Sequence, residues 1–240
     1  MSFLEHLDEL RRRLVVAVSA IGIGFLIAFA FIDRIFGFIM RPLQQILPAG
    51  GKLVYTEPTE AFMLQLKVAA LAGLVIAAPV IMWQLWLFVA PGLYAKEKRF
   101  AAPFVLFSTV SFVGGAAFSH YIVFPAAWKF FASFNNDYMQ FMPKISEAFG
   151  LYSYMMLAFA VIFQMPTLVL ALARMGVVTA GFLWRHTKYA ILIIFILAAV
   201  ITPSSDVVNQ TLMAGPMIAL YLLSIIIAWV FGKKRRTSDD

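Results

Sequence analysis

The chain has 240 residues, of which 62% are hydrophobic and only 13% charged, with 24 Phe and a formal net charge of +7. Soluble domains are roughly half apolar and about a quarter charged, so this composition excludes a soluble globule, and the Phe content excludes a disordered chain. With no Cys, disulfide scaffolds, Cys-ligated zinc, iron–sulfur clusters and thiol nucleophiles are excluded too, while the compartment stays open.

In chain order, uncharged apolar runs fall at Leu14–Ile32, Val68–Ala90, Ala101–Phe118, Phe149–Ala173, Tyr189–Ile201 and Leu212–Phe231. Each is to be weighed against the roughly 20 residues that cross a bilayer as a helix. Strands of a membrane barrel would alternate apolar and polar residues, and LVVAVSAIGIGFLIAFAFI does not. The prediction is an all-α polytopic membrane protein, a single integral membrane domain over 1–240 with six transmembrane helices. The fifth run is short: its 13 residues reach about 20 Å against a hydrocarbon core of about 30 Å.

The first run follows Arg11, Arg12 and Arg13, and this start imitates a secretory signal. The imitation fails because Glu5, Asp8 and Glu9 precede the arginines, the run has 19 residues, and Ala28-Phe29-Ala30 lies inside it. After the first run, Ile35–Leu47 sets Ile35, Phe36, Phe38, Ile39, Met40, Leu43, Ile46 and Leu47 among Arg41, Gln44 and Gln45. This reads as an interfacial helix ended by Pro48 and Gly50-Gly51, lying on the outer leaflet or capping the bundle. Pro79, Pro103, Pro125, Pro166 and Pro216 fall within or beside the spans. Proline frees carbonyls and kinks helices, so they predict either a concave scaffold of helices or nothing beyond the ordinary frequency of Pro in membrane helices.

Assigning connections to alternate sides puts 13 Lys and Arg with the two termini and 6 on the opposite side. The positive-inside rule then places both termini in the cytoplasm. No internal repeat of the kind that marks inverted-repeat transporters is visible.

Few residues offer chemistry. His6, His120 and His186 do not share one side of the membrane under this topology, so no metal site follows, and no cofactor is called for. HExxH, GxSxG and P-loop patterns are missing from the sequence, which makes an enzyme the poorest class and an intramembrane hydrolase impossible to assemble. The basic residues do not gather on a soluble face, so nucleic acid is not a predicted partner. No Asp, Glu, Lys, Arg or His falls within the six runs, which argues against a proton relay. Gln164 is the main amide at depth, bonding a neighbouring helix or a partner's transmembrane segment. Glu9 in HLDELRRRL and Glu97 in YAKEKRF stand among basic neighbours. By spacing alone they are solvated rim charges.

At these residues the chain resembles the TatC family, the multispanning receptor subunit of the twin-arginine protein translocase. The motifs are His6 with LDELRRR at Leu7–Arg13, PVIMWQLWLFVAPGLYAKEKR from Pro79 to Arg99, VFPAAWKFFASF from Val123 to Phe134, FQMPTLVLAL around Gln164, and TPSSDVVNQ with a following PM from Thr202 to Met217. The resemblance implies a cytoplasmic-membrane receptor that binds twin-arginine signal peptides at Glu9, Arg11, Phe88, Pro91, Glu97 and Arg99. Two guanidiniums would meet carboxylates in charge-assisted bonds. It also implies TatA and TatB as partners, self-association in a larger complex, and transport of folded proteins on the protonmotive force. Pro48, Asp206 and Gln210 are further motif positions. The family often carries Glu where Gln164 stands, and an acid where Leu222 follows Tyr221. The competing reading, a secondary transporter or channel for a small solute, requires a midplane site with charge or broken helices, whereas a receptor requires its chemistry at the cytoplasmic rim.

Overall fold

The computed structural model of the chain describes residues 3–47, 53–89, 101–136, 138, 140–202 and 206–232. Ten α-helices are described: α1 (Phe3–Ala30), α2 (Ile32–Gln44), α3 (Glu60–Val89), α4 (Ala101–Phe118), α5 (Phe124–Ala132), α6 (Ile145–Ile162), α7 (Met165–Arg174), α8 (Ala180–Arg185), α9 (Thr187–Ile201) and α10 (Val207–Phe231). A π-turn, Ser119–Val123, joins α4 to α5. No strand ladder occurs among the described residues, where Val54 and Lys144 form an isolated bridge, in keeping with the predicted all-α class.

Five helical segments are long and apolar enough to cross a membrane: Leu7–Ala30, Glu60–Phe88, Ala102–Ala132, Ile145–Arg174 and Val207–Phe231. The fifth predicted span is the shorter α9, whose 15 residues rise about 22 Å. Large apolar side chains such as Leu14, Val18, Ile23 and Leu26 on α1 and Leu192, Ile196 and Val200 on α9 are exposed. This surface is stable only against lipid or other apolar segments.

The chain divides into two compact units, Met1–Leu157 and Ala158–Asp240. In the first, α1 and α3 pack along their lengths. A Cβ at Gly73 would stand 2.5 Å from the Phe25 backbone nitrogen, and one at Gly24 would collide with the Gly73 carbonyl. The crossing is therefore backbone against backbone, as small residues permit between membrane helices. The amphipathic α2 buries Ile39, Met40, Pro42 and Leu43 and packs on α3, α5 and the π-turn. An aromatic cluster of Phe124, Trp128, Phe149 and Tyr152, each at most 3% exposed, holds α5 to α6, with the Phe124 and Tyr152 rings edge to face at 5.1 Å.

In the second unit α10 packs on α7, α8 and α9. Val169, Ala173 and Ala228 form a small core, and the Tyr221 hydroxyl donates to the Leu183 carbonyl at 2.7 Å. Helix α7 ends at Gly176, whose φ of 76° lets its N–H reach Ala173 and the next N–H, of Val177, reach Leu172, a Schellman closure. The prolines act differently from one another. Pro79 and Pro216 lie inside α3 and α10, where the missing N–H frees the carbonyls of Val75 and Leu212. Pro166 sits in the first turn of α7, where no donor is needed, whereas Pro125 follows directly on the π-turn within the continuous segment Ala102–Ala132.

Candidate functional site

The signal-peptide residues proposed at the sequence level fall on the first turns of α1, the last turn of α3 and the segment after it. Helix α1 begins at Phe3, eleven residues ahead of the apolar run. Its charged turns are helical because Glu9 and Arg13 are four apart and face one another. Arg13 Nη2 donates to Glu9 Oε1 at 3.2 Å and Nη1 to Gln84 Oε1 of α3 at 3.4 Å. The Glu9 side chain keeps 18% of its accessibility and that of Arg13 27%. Phe88 lies one turn beyond Gln84 on the same face of α3 and is half-buried. The structure thus gathers Glu9, Arg13, Gln84 and the Phe88 turn at one rim. Arg11 is exposed and, two residues from Glu9, sits about 200° round the helix from it, so it is not brought into this group. Pro91, Glu97 and Arg99, and Pro48, lie outside the described residues.

Sequence reasoning missed Arg13 and Gln84. The four-residue spacing from Glu9 was the available signal for the first, and the second is the one amide within Val68–Ala90. Chemically, the rim is a guanidinium-binding arrangement. A carboxylate offers about four lone-pair sites, and the bond shown here engages Oε1 alone.

Gln164 is not in mid-helix as the unbroken run implied. It is the half-buried residue at the break between α6 and α7, where its N–H bonds Val161 and its carbonyl accepts from Leu168. Asp206 caps α10, accepting from the Asn209 N–H at 2.8 Å and the Asn209 amide at 2.9 Å. Gln210 Nε2 donates to the Phe195 carbonyl at 3.0 Å and ties α10 to α9. Among the described residues, no cluster of His, Asp or Glu could hold a metal ion.

At the other end of α3, Glu60 precedes the apolar run by eight residues and is 8% exposed. Its Oε2 accepts from the Thr56 N–H at 3.0 Å and its Oε1 from the Ser146 N–H at 3.2 Å, with Lys144 Nζ at 3.8 Å. The hydrogen bonding from Ser146 is the largest influence on this carboxyl, and with Thr56 and Lys144 it outweighs desolvation and holds the pKa down at about 2.

Fold and site together define a polytopic helical membrane protein with polar groups at both ends of α3. The family profile described as Sec-independent protein translocase protein (TatC) matches residues 5–216, and the chain belongs to the TatC family. It is 46% identical to the Sec-independent protein translocase protein TatC of Desulforapulum autotrophicum, covering 99% of this chain and 88% of that protein. The TatC of Koribacter versatilis is 43% identical, with 98% and 88% covered. A crystal structure of the twin arginine translocase receptor TatC superposes with a TM-score of 0.78 at 35% identity, over 93% of this chain and 97% of that one. The same receptor in DDM gives a TM-score of 0.81, also at 35% identity, over 93% and 99%.

Proposed function

We propose that this chain is the core receptor of the twin-arginine translocation system. As one integral membrane domain with both termini in the cytoplasm of a bacterial cell, it binds the twin-arginine signal peptides of folded precursors at its cytoplasmic rim. It assembles with TatA, TatB and further copies of itself, and the protonmotive force drives export. The observation that carries the reading is Glu9: a half-buried motif carboxylate that already accepts a guanidinium lies in surroundings suited to arginine. Glu97 supplies the second carboxylate, with Phe88, Pro91, Arg11 and Arg99 around them. Gln164, Asp206 and Gln210 serve helix packing or partner contact. No observation favours the small-solute transporter.

Arginine presents a planar fork to a carboxylate and lysine a compact point charge, so chemistry as well as charge discriminates between them. The test compares crosslinking of Arg-Arg and Lys-Lys signal peptides to the wild type and to Glu97→Gln. The wild type should favour Arg-Arg, and the variant should lose about 10- to 150-fold in affinity for it. A variant that binds both peptides like the wild type makes Glu97 a solvated rim charge and removes it from the site. The orientation has its own check, since single Cys residues at Gly50 and Ala95 report without background in a chain lacking Cys. Gly50 should react with an impermeant thiol reagent on intact cells and Ala95 only after permeabilisation.

A further inference from the structure

The π-turn admits an extra residue per turn, a device that re-aims side chains and is frequent at functional sites. Here it turns His120 and Tyr121 toward α2. The His120 ring stacks on Phe38 at 4.4 Å while its Nδ1 and the Tyr152 hydroxyl lie 3.0 Å apart, and Tyr121 meets His120 edge-on at 4.6 Å. Phe38 and His120 form a wall shared by two cavities.

The first cavity, about 570 Å³, is lined by Arg41, Gln45, Tyr121 and Lys129 as well as that wall, and no carboxylate lines it. Arg41 and Lys129 are both exposed, and neither side chain has an ion-pair partner among the described residues. The second cavity, about 400 Å³, is apolar, with Ile35, Leu71, Val75, Val113 and Met156 in its lining. A chamber with two unpaired cations thus adjoins an apolar groove beside an amphipathic helix of the kind that lies at headgroup level.

We propose that these adjoining cavities bind one anionic glycerophospholipid, its phosphate between Arg41 and Lys129 and an acyl chain in the apolar groove. The order of polarity matches the ligand: a diffuse anion needs cations and donors, and a hydrocarbon chain needs the dry groove next to them. Charge complementarity selects the anionic lipid over a zwitterionic one, whose own ammonium competes for the phosphate. The leaflet is the one on the α2 side, the outer one under the orientation proposed above, and the site itself does not depend on that orientation or on signal-peptide binding.

The test uses the intact protein in phosphatidylcholine nanodiscs into which phosphatidylglycerol is titrated, with bound lipid counted by native mass spectrometry and the thermal midpoint followed in parallel. One phosphatidylglycerol should be retained per chain and raise the midpoint. Combining Arg41→Gln with Lys129→Gln should weaken its binding about thirtyfold. Val113→Trp, a change at a 41% exposed groove position, should weaken it with both cations in place. Arg34→Gln, an exposed cation outside the cavity lining, should leave it unchanged. Equal retention of phosphatidylcholine, equal stabilisation by inorganic phosphate alone, or equal loss in Arg34→Gln would overturn the proposal.

Discussion

A carboxylate facing a cation stands near each end of α3, Glu60 on α3 itself and Glu9 on the neighbouring α1, and the two are built for different ends. Glu60 is buried, takes two backbone N–H groups through separate oxygens and has Lys144 beside it. Both of its oxygens are engaged in strapping the loop before α3 to the start of α6, where Val54 also bonds the backbone on both sides of Lys144. Glu9 stands half-open with one guanidinium at 3.2 Å. A carboxylate held by two backbone donors is a fastener, whereas one held by a single half-buried side chain keeps lone pairs open to a further donor.

The strongest way to break the comparison is to separate the helices that frame it. Gly73→Leu places a side chain against the α1 backbone, where no rotamer change relieves the contact. It should cost about 3 kcal/mol and remove most folded protein from the membrane, read as yield and thermal midpoint. Next comes Glu9→Gln, which should weaken Arg-Arg peptide crosslinking about tenfold with little change in midpoint, because a single i,i+4 helix pair adds only about 0.2–0.5 kcal/mol.

Glu60→Gln should do the reverse, lowering the midpoint and leaving peptide binding intact. Its pH signature follows from the depressed pKa. The ordinary value is 4.5 and the folded one about 2, so the stabilisation is complete above about pH 4.5 and lost progressively as the pH falls toward 2. Midpoints measured across that window should fall for the wild type, and the part of the fall due to this carboxyl should be missing in Glu60→Gln. The smallest effect belongs to Gln84→Leu. Its bond to Arg13 is long at 3.4 Å, and such contacts between membrane helices average about 0.6 kcal/mol, so the midpoint should scarcely move.

Much of the fold was legible because lipid demands long apolar helices, and each of the six runs lies mostly on described helix. What the runs hid was continuity and breakage. Helix α1 starts well before Leu14, with Glu9 and Arg13 paired at helical spacing in its charged turns, and the third span continues past Phe118, where His120 meets Tyr152 inside the protein. The run Phe149–Ala173 looks seamless, yet Pro166 cannot donate back into α6 and the helix restarts at Met165. At the site, Glu9 and Phe88 were readable only through the family motif. Arg13 and Gln84 needed the α1 to α3 crossing to meet, and no local pattern encodes a contact 71 residues apart in sequence.

That crossing also works as a ruler. Arg13 and Gly24 are eleven residues apart, and so are Gly73 and Gln84. Eleven residues are close to three full turns and about 16 Å, so on two antiparallel helices pinned at the glycines, equal offsets return both side chains to the same face at the same depth. The glycine contact leaves no side chain to slide or re-pack, which makes register an all-or-nothing property of this helix pair. One alanine inserted between Gly73 and Gln84 would swing Gln84 and Phe88 about 100° round α3, dismantling the rim from a point three turns away without altering any residue in it.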